Sequence, residues 1–120
     1  MGIKNMPPSG GRNFMEKESI ITKTYDFLLY LIPQLSRFPR DQKFILGDRI
    51  QILTMDILDL FIEAFYSPNQ QKLKVLADAN MKLEKLRYLI RLSHDLKLIN
   101  VHRYEVFSEK INELGKMLGG

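Results

Sequence analysis

The chain has 120 residues, 45% of them hydrophobic, which suits one domain with a core of its own. Cysteine is absent, which excludes disulfides, thiolate metal ligands and cysteine nucleophiles together. The net charge of +4 is compatible with an anionic partner without requiring one. No apolar run approaches the ~18 residues of a membrane span, and no basic-then-apolar leader opens the chain, so a cytoplasmic protein with no membrane association is expected.

Residues 1–14, MGIKNMPPSGGRNF, carry PP and GG and no apolar period. They read as a flexible tail, with the tail taken to residue 18 and the folded domain over 19–120. From Ser19 the pattern is helical, with Ile20, Ile21, Tyr25, Leu28, Leu29 and Ile32 on one broad side. Pro33 and Pro39 should end this helix near Ser36, because proline lacks an amide donor and crowds the preceding turn.

A second helix is expected from Arg40 or Asp41 to Tyr66, with Asp41 placed to satisfy open amides in its first turn. Ile50, Leu53, Ile57, Leu58, Leu60, Phe61, Ala64 and Phe65 form its apolar arc. Gly47 lies inside the pattern, where glycine costs about 1 kcal/mol relative to alanine. Close approach of a neighbouring helix would explain it.

The break SPN at 67–69 offers Ser67 as a cap and Pro68 as a first helical residue. A third helix should run from Asn69 to Leu98, with Leu73, Leu76, Ala79, Leu83, Leu86 and Ile90 facing the core. Beyond Arg87, Leu89, Leu92 and Leu96 add a second apolar face on roughly the opposite side. One core cannot cover both, so these three leucines are expected at a subunit interface. Asn100 starts a fourth helix with Val106, Phe107, Ile111, Leu114 and Leu118 inside, and Gly119 and Gly120 can terminate it. No strand period appears. The expected fold is all-α, an antiparallel up-down four-helix bundle.

The sequence offers little chemistry of catalysis. His94 and His102 fall on different helices without HxxxH or ExxH spacing, so no metal site and no cofactor are expected. LGDR at 46–49 lacks the glycines, the lysine and the preceding strand of a phosphate loop. Asp56, Asp59 and Glu63 share a helix face, but no base, nucleophile or orienting group accompanies them. Ser93, His94 and Asp95 are consecutive, and helical neighbours at that spacing point apart. No enzymatic activity is expected.

Charge is segregated by segment. Residues 41–67 set Lys43 and Arg49 against Asp41, Asp48, Asp56, Asp59 and Glu63. Residues 68–99 set Lys72, Lys74, Lys82, Lys85, Arg87, Arg91 and Lys97 against Asp78, Glu84 and Asp95. Arg87 and Arg91 are one turn apart at the edge of the core stripe, where long arginines can bury their stems and present guanidinium groups. Two readings stand: salt-sensitive phosphate contact through this basic segment, or a solvated face pairing with the acidic second helix of a neighbour.

The segment YDFLLYLIPQLSRFPRDQKFILGDRIQ (25–51), with LEKLRYLIRLSHDLKLI (83–99) and INELGKMLGG (111–120), resembles the accessory variability determinant (Avd) proteins of diversity-generating retroelements. It is also similar to their relatives, the four-helix proteins encoded by intervening sequences in ribosomal RNA genes. The resemblance covers about residues 20–120. It implies a four-helix bundle assembled into a homopentameric barrel, without catalytic activity. It implies partners too: the retroelement's reverse transcriptase and nucleic acid, RNA first and DNA second, including the template RNA of mutagenic retrohoming. Arg87 and Arg91 match the family's basic pair and are the first expectation for nucleic-acid contact. Arg40 and Lys43 in the FPR turn are the second, and Lys82 and Lys85, on other exposed faces of the third helix, are added to the expected contacts. The ribosomal relatives imply an alternative, a structural or interaction oligomer with no retroelement role.

Overall fold

The computed structural model describes residues 12–119, with side chains from Ser19 onward. Five α-helical segments follow one another: α1 (Arg12–Leu35), α2 (Arg40–Gln42), α3 (Asp48–Tyr66), α4 (Asn69–Asp95) and α5 (Val101–Met117). A π-helical turn, Lys43–Gly47, joins α2 to α3, so these form one continuous helical rod. The architecture is four helical rods with no strand among the described residues. α1 packs on α3 and α5, and α4 packs on the same two, which closes the ring of a bundle. Connections of a few residues make consecutive rods antiparallel neighbours.

The core follows the helical period. Leu31, Ile50, Ile57, Leu83, Leu86, Phe107 and Ile111 are fully enclosed, and each such side chain contributes about 1.5–3 kcal/mol through burial. Phe107 of α5 meets Phe27 and Tyr30 of α1 edge-on, with ring centroids 6.3 and 5.7 Å away. Three hydroxyls are buried in the same core. Thr24, Thr54 and Ser93 donate to the carbonyls of Ile20, Ile50 and Leu89 one turn back, so none is left unsatisfied.

Several expectations change. α1 begins at Arg12, seven residues before Ser19, so part of the expected tail has helical backbone. Residues 1–11 of that tail lie outside the described residues. Pro33 lies within α1. Near the end of a helix only one internal bond is lost to the missing amide, and the Ser36 hydroxyl donates to the Pro33 carbonyl at 2.7 Å. The inner face of α1 is also rotated from the expected one. Thr24, Phe27, Leu28, Leu31 and Leu35 are buried, whereas Tyr25, Leu29 and Ile32 are exposed. Residues 27–33 of this helix, FLLYLIP, are apolar all round, and the face carrying Phe27, Leu31 and Leu35 supplies the larger contact.

Asp41 makes no side-chain cap. The carbonyl of Pro39 instead accepts from the amides of Gln42 and Lys43, at 2.9 and 2.7 Å. Ser67 turns back to donate to the Glu63 carbonyl at 2.6 Å, and Pro68, not Ser67, precedes α4. Leu73 is 75% exposed, because six residues before Ala79 it lies about 120° from the core line. Gly47 is buried against the Phe38 ring of the α1–α2 connection and the carbonyl of Leu35, the last residue of α1, so the end of a neighbouring helix does approach it. A Cβ there would meet them at 3.6 and 3.7 Å, an ordinary contact.

α4 ends at Asp95 without glycine. Lys97 takes a left-handed conformation with φ of 63°. Its amide donates to the His94 carbonyl and that of Leu98 to the Ser93 carbonyl, at 2.9 and 2.8 Å, the bonding of a Schellman motif. Asn100 caps α5 as its sequence position indicates, its Oδ1 accepting from the Arg103 amide at 2.8 Å. Gly119, with φ of 99°, closes the far end.

Candidate nucleic-acid interface

α4 carries the basic pair expected from sequence. The Arg87 guanidinium spans to α5: Nε donates to Asn112 Oδ1 at 3.2 Å and Nη1 to Glu84 Oε1 at 2.7 Å. Gly115 makes room for it, since a Cβ there would stand 2.9 Å from Arg87 Nη2. Asn80, Arg87, Asn112, Gly115 and Lys116 line a shallow recess of about 340 Å³. One turn on, Arg91 faces Asp95 at 3.8 Å. Lys82 faces Asp78 at 3.7 Å. Such exposed pairs contribute little to stability, but an incoming phosphate has to compete with each carboxylate.

The remaining expected contacts lie elsewhere. Lys85 is two residues from Arg87, about 200° round the helix, and points away from it. Arg40 is exposed on α2. The Lys43 ammonium lies 5.5 Å over the ring of Phe44. The π-turn, by inserting a wider turn, sends Phe44 and Ile45 outward at 61% and 69% exposure while Leu46 and Gly47 turn inward. The structure therefore does not gather the six expected basic residues: Arg87 and Arg91 share one flank of α4, Lys82 and Lys85 lie elsewhere round that helix, and Arg40 and Lys43 lie at the α2 end of the bundle.

That end holds a basic corner that sequence reasoning missed. Gln34, Arg37, Leu98, Ile99, Asn100 and Arg103 line a recess of about 150 Å³ where α1 ends and α5 begins. An arm of Arg103 donates to Gln34 Oε1, bridging the two helices. No acidic side chain lines the recess. The two segments that form this end, 34–43 and 95–103, hold Arg37, Arg40, Lys43, Lys97 and Arg103 against Asp41 and Asp95. Arg37 was legible as a second arginine in LSRFPR; Arg103 was not, because it is 69 positions from its partner Gln34.

The leucines expected at a subunit interface also divide. Leu89 is half-buried and packs against the core, so it belongs to the bundle. Leu92 and Leu96 are exposed, with Met81 and Tyr88 of α4 beside them in exposure. A longer stripe runs along α3, where Asp48, Ile52, Met55, Asp59, Ile62 and Tyr66 recur every three or four residues and are all exposed. That spacing is the seam of a coiled coil.

No cluster of three or more histidine, aspartate or glutamate side chains able to hold a metal occurs among the described residues. His94 stacks on Tyr104 with centroids 4.7 Å apart. No helix among the described residues is long and apolar enough to cross a membrane. Comparison with curated proteins returned no match, and neither did comparison with solved structures. A family model described as bAvd-like matches residues 19–120, the whole four-rod bundle. The chain belongs to the bAvd-like family, the Avd-type proteins its sequence resembles.

Proposed function

We propose that the protein is a non-enzymatic accessory of a retroelement reverse transcriptase, binding that enzyme and its template RNA in the cytoplasm during mutagenic retrohoming. The family match over residues 19–120 carries this reading. The basic surfaces on α4 and at the α2 end supply positive potential for phosphate contacts, which position a protein on nucleic acid without reading its sequence.

The acting species is a homo-oligomer, a pentameric barrel. The exposed seam on α3 and the exposed Leu92 and Leu96 on α4 support assembly, since a stripe of this length is costly to leave in water. The acidic residues of that seam, Asp48 and Asp59, suit a basic α4 from a neighbour.

The test is co-purification of the chain with its retroelement's reverse transcriptase, with and without template RNA. Retention of both is expected. Failure to retain either the enzyme or the RNA contradicts the proposal. An intact oligomer that retains neither favours the alternative, a structural oligomer related to the ribosomal intervening-sequence proteins.

A further inference from the structure

We infer that the recess between Arg37 and Arg103 is a phosphate site, and that it takes a phosphate of the bound nucleic-acid strand in preference to the α4 pair. The inference rests on the nucleic-acid reading above and places the contact where sequence did not.

The first observation is the difference in pairing. Arg87, Arg91 and Lys82 each face a carboxylate within 4 Å. The Arg37 guanidinium has no hydrogen-bond or ion-pair partner among the described residues. Arg103 is held by Gln34, an amide and not an acid. A phosphate entering this corner therefore displaces no carboxylate, whereas on α4 it must.

The second observation is shape. Both arginines line one concave recess of about 150 Å³, walled by Leu98 and Ile99. A guanidinium offers five N–H donors in a fixed fork suited to phosphate oxygens. The bond to Gln34 uses one arm of Arg103 and orients the rest of the group. Half-buried Leu98 and buried Ile99 lower the local dielectric on one side, which strengthens a charge-assisted bond made there. Arg40 and Lys97 at the same end extend the positive field beyond the recess.

The third observation is how the corner is held. The backbone bonds of the Schellman turn through Lys97 and the side-chain cap of Asn100 fix residues 96–103. The Arg103 side of the recess is thus held before any ligand arrives, which lowers the ordering cost of binding.

The test measures fluorescence anisotropy of a labelled single-stranded RNA with the full chain across a salt series. Arg37→Gln is expected to weaken binding on the order of tenfold at low salt and to reduce the log–log salt slope by about 0.7. Arg103→Lys keeps the charge, loses the fork, and should fall between that variant and wild type. Lys23→Gln, on α1, paired with Glu113 and outside both basic surfaces, serves as control and should bind as wild type.

Wild-type affinity in both Arg37→Gln and Arg103→Lys overturns the corner while nucleic-acid binding stands. If wild type binds no RNA, the nucleic-acid reading fails and inorganic phosphate decides the site. A rise in melting temperature with phosphate, against chloride at equal ionic strength, that is larger for wild type than for Arg37→Gln supports a phosphate pocket. Equal rises overturn it.

Discussion

Replacing Lys97 with glycine is expected to stabilise the protein, although it removes a side chain and adds backbone freedom. Lys97 is exposed and occupies φ of 63° at the end of α4. A residue with a Cβ is strained there by about 1–2 kcal/mol. Glycine relieves that strain and returns roughly 0.5–1 kcal/mol as extra freedom of the unfolded chain. The two Schellman hydrogen bonds, from Lys97 to His94 and from Leu98 to Ser93, are backbone bonds and survive the change. The net gain is about 0.5–1 kcal/mol, equal to a rise of roughly 2–8 °C in a domain of this size. Thermal and urea unfolding followed by circular dichroism would measure it, at one fixed protein concentration because assembly shifts apparent stability. An unchanged or lowered midpoint would refute the left-handed turn at Lys97.

Gly47→Ala is expected to be neutral or to stabilise by up to about 1 kcal/mol in urea unfolding, since a Cβ meets Phe38 and Leu35 at ordinary distances and alanine favours the helix. A clear loss would show that the connection packs more tightly on the π-turn. Leu86→Ala should cost about 2–5 kcal/mol in the same assay, because Leu86 is fully enclosed in the core. Under the proposed assembly, Ile52→Asp should lower the mass seen in light scattering without loss of helicity, Ile52 being 57% exposed in the protomer. Full mass would remove the α3 seam from the interface.

The four rods were legible because three of their boundaries carry recognisable residues: the proline-flanked turn at 36–39, SPN at 67–69 and the Asn100 cap. The core line of α4 from Ala79 to Ile90 was legible from period alone, since Ala79, Leu83, Leu86 and Ile90 recur every three or four residues. α1 was not, because Tyr25, Leu29 and Ile32 compete with Phe27, Leu31 and Leu35 for the same role. The π-turn has no residue code: its only trace is an interior glycine, which suggested a different cause. The left-handed turn at Lys97 is likewise invisible, being set by the carbonyls of Ser93 and His94 and not by a glycine.

The candidate interface was legible as a charge balance but not as a place. Sequence gives the excess of basic residues on α4, yet which of them face a carboxylate depends on rotamers. Glu84 could be foreseen beside Arg87 at three residues' spacing. Asn112 and Gly115, which complete that arginine's setting, come from another helix. The same limit hid Arg103, whose meeting with Arg37 follows only from closing the ring of rods.

Affinity of the wild-type chain for single-stranded RNA, measured across a salt series, tests the proposed function most directly. Tight binding is expected at low salt, with log affinity falling linearly in log salt by about 0.7 for each phosphate contacted. An absence of binding at low salt would contradict it.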